Sequence, residues 1–244
     1  MTPVYAIGDV HGNLDALHEA VSLVEADGGP DAKIVFLGDY TDRGAQSAGV
    51  LSYLVQSAQE QRNWVYLKGN HDRMFEYFME DTPRHDPFLL VGYHWLHDRL
   101  GGRDTLKSYG IEWDGPRRLY DVHAEAKAKI PQDHIDFLRA LDITHQHEDL
   151  LFVHAGVRPG VPFADQTEED MIWIRDEFLT SEEQFPWTIV HGHSPVQTPT
   201  RYSNRVNLDG GAGYGRPLVP AVFENGDVWV LTKEGRAPIA TEKR

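Results

Sequence analysis

Carboxylate, carboxamide and imidazole side chains follow one another at the ends of short apolar runs in this sequence, and their types suit one chemistry, the binding of divalent metal. Asp9-Val10-His11 closes the apolar run from Val4 to Gly8. Residues two apart on an extended backbone face the same side, so Asp9 and His11 can reach one ion together. Alone the pair is a weak signal. Gly38-Asp39 closes the run that begins at Lys33, and Gly69-Asn70-His71-Asp72 closes Trp64 to Leu67. His154 follows Leu150 to Val153, and His191-Gly192-His193 follows Trp187 to Val190. Glycine at these places lets the chain turn tightly and keeps the site open. Oxygen and imidazole donors without thiolate suit manganese, iron or zinc in an open site rather than a structural zinc knot. Asp, His, Asp, Asn, His and His are too many for one ion with open positions, and they suit two ions that share a carboxylate.

The elements that must position these groups can be read from periodicity. Leu14, Leu17, Val21 and Val24 have helical spacing, as do Val50, Leu51, Leu54 and Val55. The runs from Val4, Lys33 and Trp64 read as buried strands, so the first third is β-α-β-α-β with a parallel sheet. In such sheets, sites form outside the carboxyl ends of the strands, which predicts Asp9, Asp39 and Asn70 at one edge. Residues 81–128 differ. They are rich in aromatics (Phe88, Tyr93, Trp95, Tyr109, Trp113, Tyr120), broken by Gly101-Gly102 and Gly115-Pro116, and read as a helical insertion with loops that covers the metal edge. Pro131 to Leu141 reads as a helix with Pro131 in its first turn, and Glu168 to Phe178 as a short helix or ordered loop whose acids are solvated and complement the helix dipole. Asn225-Gly226 between two closing strands is a hairpin signal. With no repeat or linker, a single domain over 1–244 is expected.

Composition narrows the classes. The chain has 23 Lys and Arg against 38 Asp and Glu, a formal charge of −15, with 13 His and no Cys. No thiol means no disulfide framework, Fe–S cluster or cysteine nucleophile. The acidic balance argues against binding a nucleic-acid polymer, which needs clustered basic residues, and against docking on anionic membrane lipid. No apolar run has the length of a membrane span, and the first residues do not read as a signal peptide. A cytoplasmic protein is expected, and no feature sets an oligomeric state.

Taken together, GDVHG (Gly8 to Gly12), GDYTDRG (Gly38 to Gly44), GNHD (Gly69 to Asp72), HAG (His154 to Gly156) and HGH (His191 to His193) resemble the calcineurin-like metallophosphoesterases, and within them the bacterial branch of the PPP-type Ser/Thr protein phosphatases. The resemblance covers most of the chain. It implies an α/β fold (α+β in some schemes), a four-layer β-sandwich flanked by helices with a two-metal site at one edge. It further implies that Asp9, His11 and Asp39 bind the first ion, that Asp39 bridges, and that Asn70, His154 and His193 complete the second. His71 is then the general acid held by Asp42, and Arg43, with Asn70, binds substrate phosphate. Two divalent ions, manganese above iron or zinc, would activate a bridging hydroxide for in-line attack on phosphorus. Arginine suits the phosphate oxygens by its planar fork, and histidine titrates in the right range to protonate a leaving alkoxide.

Some residues keep two readings. Arg175 resembles a second phosphate-clamping arginine, or is a surface residue paired with Asp176 or Glu177. His191 sits behind the metal ligands or is a hydrogen-bonded scaffold residue. Asp209 supports the metal edge or forms its own turn. His145 and His147 lie in a polar turn where an extra metal is conceivable. His85, His94 and His97 read as partly exposed. For substrate, the resemblance points to a phosphorylated protein or small phosphoester, with a Ser/Thr protein phosphatase as the main reading. The alternative is a dinucleoside polyphosphate hydrolase of the diadenosine tetraphosphate type. Such relatives commonly carry Ala where this chain has Asp42, which favours the phosphatase. A cleft-facing Tyr93, Trp95 or Trp113 would favour the polyphosphate reading, and an inactive binding scaffold is disfavoured by the complete ligand set.

Overall fold

Strict alternation along the strands decides how the layers stack. In β1 (Val4–Ile7) and β2 (Lys33–Phe36), every second side chain joins a different apolar cluster. Val4, Ala6 and Val35 turn to one face, Tyr5, Ile7, Ile34 and Phe36 to the other, as the period of two requires. The computed structural model describes residues 2–113 and 116–242. β1 lies parallel to β2, which lies parallel to β3 (Trp64–Tyr66). The helices α1 (Leu14–Gly28), α2 (Ser47–Gln59) and α3 (Asn70–Phe78) cover one face of this sheet.

Among its described residues the insertion supplies two helices, α4 (Gly102–Ser108) and α5 (Leu119–Lys129), while 81–101 holds turns. Its aromatics are largely core. Trp95 is buried and stacks on Phe75 at 4.8 Å, and Trp113 packs at the border of the same cluster. Gly115, expected to break the insertion, lies outside the described residues. Next comes α6 (Gln132–Arg139), with Pro131 as its N-cap in extended conformation rather than within the first turn.

The second half builds a second sheet. β4 (Thr144–His147) pairs antiparallel with β5 (Leu150–Val153), turning the expected polar turn into the edge hairpin of this sheet. Residues Glu168 to Phe178 form two pieces, α7 (Glu168–Trp173) and α8 (Asp176–Leu179). Thr167 caps α7 through Asp170 N–H, and the chain leaves helical geometry at Ile174 and Arg175. β6 (Thr188–His191), β7 (Thr200–Arg201) and β8 (Arg205–Asn207) follow, then β9 (Ala221–Glu224), β10 (Asp227–Thr232), β11 (Gly235–Pro238) and β12 (Ala240–Thr241). Asn225 and Gly226 both have positive φ, 54° and 83°, and close the expected hairpin between β9 and β10. The sheets run β11-β10-β9-β1-β2-β3 and β12-β7-β8-β6-β5-β4.

Val4, Ala6, Val35, Leu37 and Leu67 of the first sheet meet Phe152, Val190 and Val206 of the second in one buried cluster. Outside the second sheet, Leu151, Val153 and Ile189 pack on Ile174 and Phe178. The order is therefore helices, sheet, sheet, helices: an α/β sandwich of four layers. None of the helices among the described residues is long and apolar enough to cross a membrane.

Two loops meet where β2 and β3 end. Gly38 has φ 98°, and a Cβ there would lie 2.4 Å from Gly69 N. Gly38→Ala should lower stability by more than ~2 kcal/mol, combining backbone strain with a steric clash. Urea unfolding measures it; an unchanged midpoint would show that the two loops separate freely.

Candidate active site

Parallel strands of both sheets end at one edge, and their following residues converge there. Val10 N–H and His11 N–H donate to Asp39 O at 3.1 and 2.8 Å, tying the loop after β1 to the loop after β2. His193 N–H donates to both carboxylate oxygens of Asp9 at 3.0 and 3.1 Å, tying the second sheet to the first. Asp72, at the third position of α3, accepts Asp39 N–H at 2.7 Å, Tyr40 N–H at 2.9 Å and Gly69 N–H at 2.9 Å. One buried carboxylate thus sets the geometry of two loops.

All six expected metal ligands are buried and adjoin one another at this edge. His11 Nδ1 donates to Thr41 O at 2.9 Å and His154 Nδ1 donates to Leu37 O at 2.7 Å. Such bonds fix the tautomer and leave the Nε2 lone pair able to hold a metal. His11 Nε2 lies 3.5 Å from Asp39 Oδ2 and 3.9 Å from Asp9 Oδ2. His154 Nε2 lies 3.5 Å from Asp39 Oδ1 and 3.1 Å from Asn70 Oδ1. Asp39 therefore offers one oxygen to each group, the geometry of a shared carboxylate.

Three observations test the fit to metal. His193 Nε2 is buried without a hydrogen-bond partner among the described residues. With its Nδ1 proton given to Leu37 O, His154 Nε2 faces Asn70 Oδ1 lone pair to lone pair, an arrangement that a shared cation relieves. Burial, then Asp209 and Asp39, pushes the Asp9 carboxyl well above its usual range, and burial holds His11 and His193 well below theirs. Buried carboxylates beside neutral imidazoles form a donor set that calls for a cation. Asp39, His154 and His193 offer atoms within 4.8 Å of one another, as do His11, Asp39 and His71.

His71 is close enough to join the first group, yet its ring is otherwise engaged. Its Nδ1 donates to Asp42 Oδ2 at 2.6 Å and its Nε2 accepts from Arg43 Nη2 at 3.0 Å. Asp42 is fully buried and also accepts Trp95 Nε1–H at 2.9 Å and Thr105 Oγ1–H at 2.7 Å. Burial pushes the Asp42 carboxyl up to about 7 and the His71 imidazole down to about 3. Arg43 also donates to His11 Nε2 at 2.5 Å, and its guanidinium lies 5.0 Å from the centroid of the exposed Tyr214 ring. Arg175 Nη1 donates to Ser194 Oγ at 3.2 Å, and its charge helps to hold His71 and His193 low. Among the described ion pairs Glu177 is taken by Arg158, so Arg175 turns to the site rather than to that acid.

The remaining candidates separate. His191 stands against Phe178 at 5.1 Å and its Nδ1 donates to Gly192 O at 3.0 Å. It belongs to the outer layer, because the turn at His193 (φ 66°) breaks the alternation that would put both rings on one side. Asp209 is buried near Asp9 and accepts Gly211 N–H at 2.9 Å, so it closes its own turn while adding charge to the edge. His145 and His147 lie on β4 and form no metal-binding group among the described residues. His85, His94 and His97 neighbour one another in the insertion, partly exposed. Glu168 and Glu169, expected as solvated acids, reach the buried Arg73 at 3.3 and 3.2 Å. Trp95, Thr105, Ser194 and Tyr214 carry no local sequence signal. Asp72 does, since an acid at the third helical position is a capping signature.

Elemental analysis of the purified protein should find about two divalent ions per chain. Stripping them with a chelator should lower the thermal midpoint, since ligands of the folded state alone stabilise by ~2.7 kcal/mol at a hundredfold excess over Kd. Asp39→Asn should lose at least one ion, and a variant that keeps both would refute the shared carboxylate.

The calcineurin-like phosphoesterase family profile matches residues 2–228. The chain is 25% identical to the bis(5'-nucleosyl)-tetraphosphatase PrpE [asymmetrical] of Halalkalibacterium halodurans, over 97% of this chain and 96% of that one. It is 27% identical to the protein of the same name in Bacillus velezensis, over 87% of this chain and 85% of that one. The cold-active protein-tyrosine phosphatase of a psychrophilic Shewanella species shares the fold, with a TM-score of 0.61, 16% identity, and coverage of 97% of this chain and 80% of that one. A match of this extent, with the donors of both sheets meeting at one edge, places the chain in the calcineurin-like phosphoesterase family.

Proposed function

We propose that this metallophosphoesterase hydrolyses a phosphoanhydride bond of a dinucleoside polyphosphate, the dinucleoside tetraphosphate being the reference substrate. The end-to-end likeness to proteins named bis(5'-nucleosyl)-tetraphosphatase carries this reading. The geometry agrees with it. Arg43 and Arg175 both bear on His71, which supplies two guanidinium groups for a chain of phosphates. The exposed ring of Tyr214 beside Arg43 adds an apolar face next to the phosphate-binding group. Trp95, Tyr93 and Trp113 do not serve as such faces: Trp95 is buried on Asp42, Tyr93 stacks on His97 at 3.9 Å, and Trp113 packs on the core.

The family works with a dinuclear divalent metal centre. In this reading Asp9, His11 and Asp39 hold one ion, and Asp39, Asn70, His154 and His193 hold the other. Bound there, divalent ions supply Lewis acidity at phosphorus and an activated water. Arg43 and Arg175 orient the phosphate and take up charge as it develops. Asp42 keeps the Nδ1 proton of His71 in place, so that Nε2 points to the phosphate side, where the negative charge of a bound phosphate opposes the burial that holds the imidazole low and favours a second proton.

That dyad favours a second reading. A departing nucleotide phosphate is a weak base and gains little from an acid, whereas a serine or threonine alkoxide must be protonated as it leaves. The His71–Asp42 contact at 2.6 Å therefore suits a phosphomonoester with an alkoxide leaving group, the Ser/Thr protein phosphatase reading.

Side-by-side rates on diadenosine tetraphosphate, phosphoserine and phosphothreonine peptides, and a phosphotyrosine peptide decide between them. The tetraphosphate should have the highest kcat/KM, by about tenfold or more, and the reverse order would install the second reading. His71→Asn should cost about 10²-fold on alkyl phosphates and much less on aryl phosphates. Equal losses would exclude a general acid at this position.

A further inference from the structure

Beside the metal donors lies a second aromatic surface that the reaction as described leaves unused. Phe88 is 51% exposed, and its ring lies nearly parallel to that of Trp173, at 18° with centroids 6.2 Å apart. The Trp173 ring in turn meets His193 edge-on at 6.2 Å. An aromatic ladder thus runs from solvent to an expected metal ligand. We propose that Phe88 and Trp173 form a stacking site for the nucleobase of a nucleoside 5'-phosphate whose phosphate lies at Arg175 and the metal donors. This rests on the polyphosphate reading above and names where one of its bases binds.

The surface is built, because one buried carboxylate holds the Phe88 backbone and the Trp173 ring. Asp86 accepts Phe88 N–H at 3.0 Å and Trp173 Nε1–H at 3.3 Å. It also takes the Arg73 guanidinium at 2.8 and 3.2 Å. Arg73 is itself buried and reaches Glu168 and Glu169 at the start of α7. A buried Arg–Asp pair carries a large desolvation cost and yields fixed geometry in return. Here it fixes the loop carrying Phe88 against the helix carrying Trp173.

Charge in the adjoining cleft selects the kind of ligand. Phe88, Trp173 and Arg175 line it together with Glu169, Asp176 and Glu177. Arg158, also on its wall, is engaged by Asp170 and Glu177. Glu169, Asp170, Asp176 and Glu177 outnumber Arg158 and Arg175 on this lining, so the rim is net acidic and repels further phosphate. It accepts hydrogen bonds from ribose hydroxyls and exocyclic amines, while the rings stack an uncharged base. Stacking on aromatic side chains tolerates any base and is strong enough to set affinity.

The test uses metal-loaded enzyme and compares AMP with ribose 5-phosphate as competitive inhibitors of p-nitrophenyl phosphate hydrolysis. Both carry the same phosphate, so their ratio isolates the base. AMP should inhibit with a Ki about tenfold lower. Phe88→Ala and Trp173→Leu should each bring the two within about threefold, and Phe88→Tyr should keep the advantage. Equal inhibition in the wild type, or an advantage that survives both variants, overturns the proposal. So does an advantage lost only in Tyr214→Ala, which would put the base beside Arg43. Loss of activity on an arginine-flanked phosphopeptide, with the AMP ratio unmoved, would assign the surface to a basic peptide instead. Failure to cleave diadenosine tetraphosphate, together with an AMP advantage that depends on Phe88, would refute the polyphosphate reading and leave the base site standing.

Discussion

Buried negative charge at the junction of the two sheets is the constraint on which the rest of the molecule depends. Asp9, Asp39, Asp72 and Asp209 are all at most 4% exposed and gather where parallel strands end. Each is partly satisfied by backbone N–H groups: His193 for Asp9, His71 for Asp39, three groups for Asp72, Gly211 for Asp209. Those bonds fix positions but leave like charges side by side in a poor dielectric, where repulsion is weakly screened. Imidazoles kept neutral by burial do not offset them. Divalent cations would, which is why the same residues form a structural liability and a candidate binding site.

The backbone is bent to achieve this. Among the described residues, five of the eight non-glycine positions with positive φ, namely His11, Asp39, Asp42, Arg43 and His193, belong to the site. Each such conformation costs ~1–3 kcal/mol, so together they approach the whole stability of a typical domain, ~5–15 kcal/mol. Buried hydrogen bonds between loops offset the strain, with Asp72 and Asp39 O as the hubs. The sandwich behind supplies the rest: its core joins Val35 and Leu37 to Phe152 and Val190, so the strand ends cannot drift apart.

The insertion reaches the site. Trp95 and Thr105 reach back 53 and 63 residues to occupy both oxygens of Asp42, and Asp42 in turn holds His71. Asp86, at the start of the same segment, links α3 to α7 through Arg73 and Trp173. His71, through Asp42, and the Phe88 backbone and Trp173 ring, through Asp86, are thus anchored to one segment. The formal charge of −15 takes on a local meaning as well, since Asp9 and Asp39 place part of it among the groups that could hold a cation.

Much of this was legible without coordinates. Apolar runs ending in Gly-Asp, Gly-Asn or His marked the strand ends, and the rule that α/β sites lie at carboxyl edges put Asp9, Asp39 and Asn70 together. Local chemistry suffices there, because strand period, turn residue and ligand type are properties of a few neighbouring residues. The side taken by His191 was not legible, because one left-handed residue at His193 reverses the expected parity. Nor was β4, whose His145 and His147 read as a turn until pairing with β5 drew them into a sheet. The roles of Trp95, Thr105, Asp86 and Ser194 depend on contacts between distant segments, which packing sets and no local pattern records. The sequence by itself determined which donors are present and at which strand ends they sit. Only the tertiary structure decided which of them lie within reach of one another, which support a neighbour and which face the solvent, because burial and orientation arise only once the two sheets close on one another.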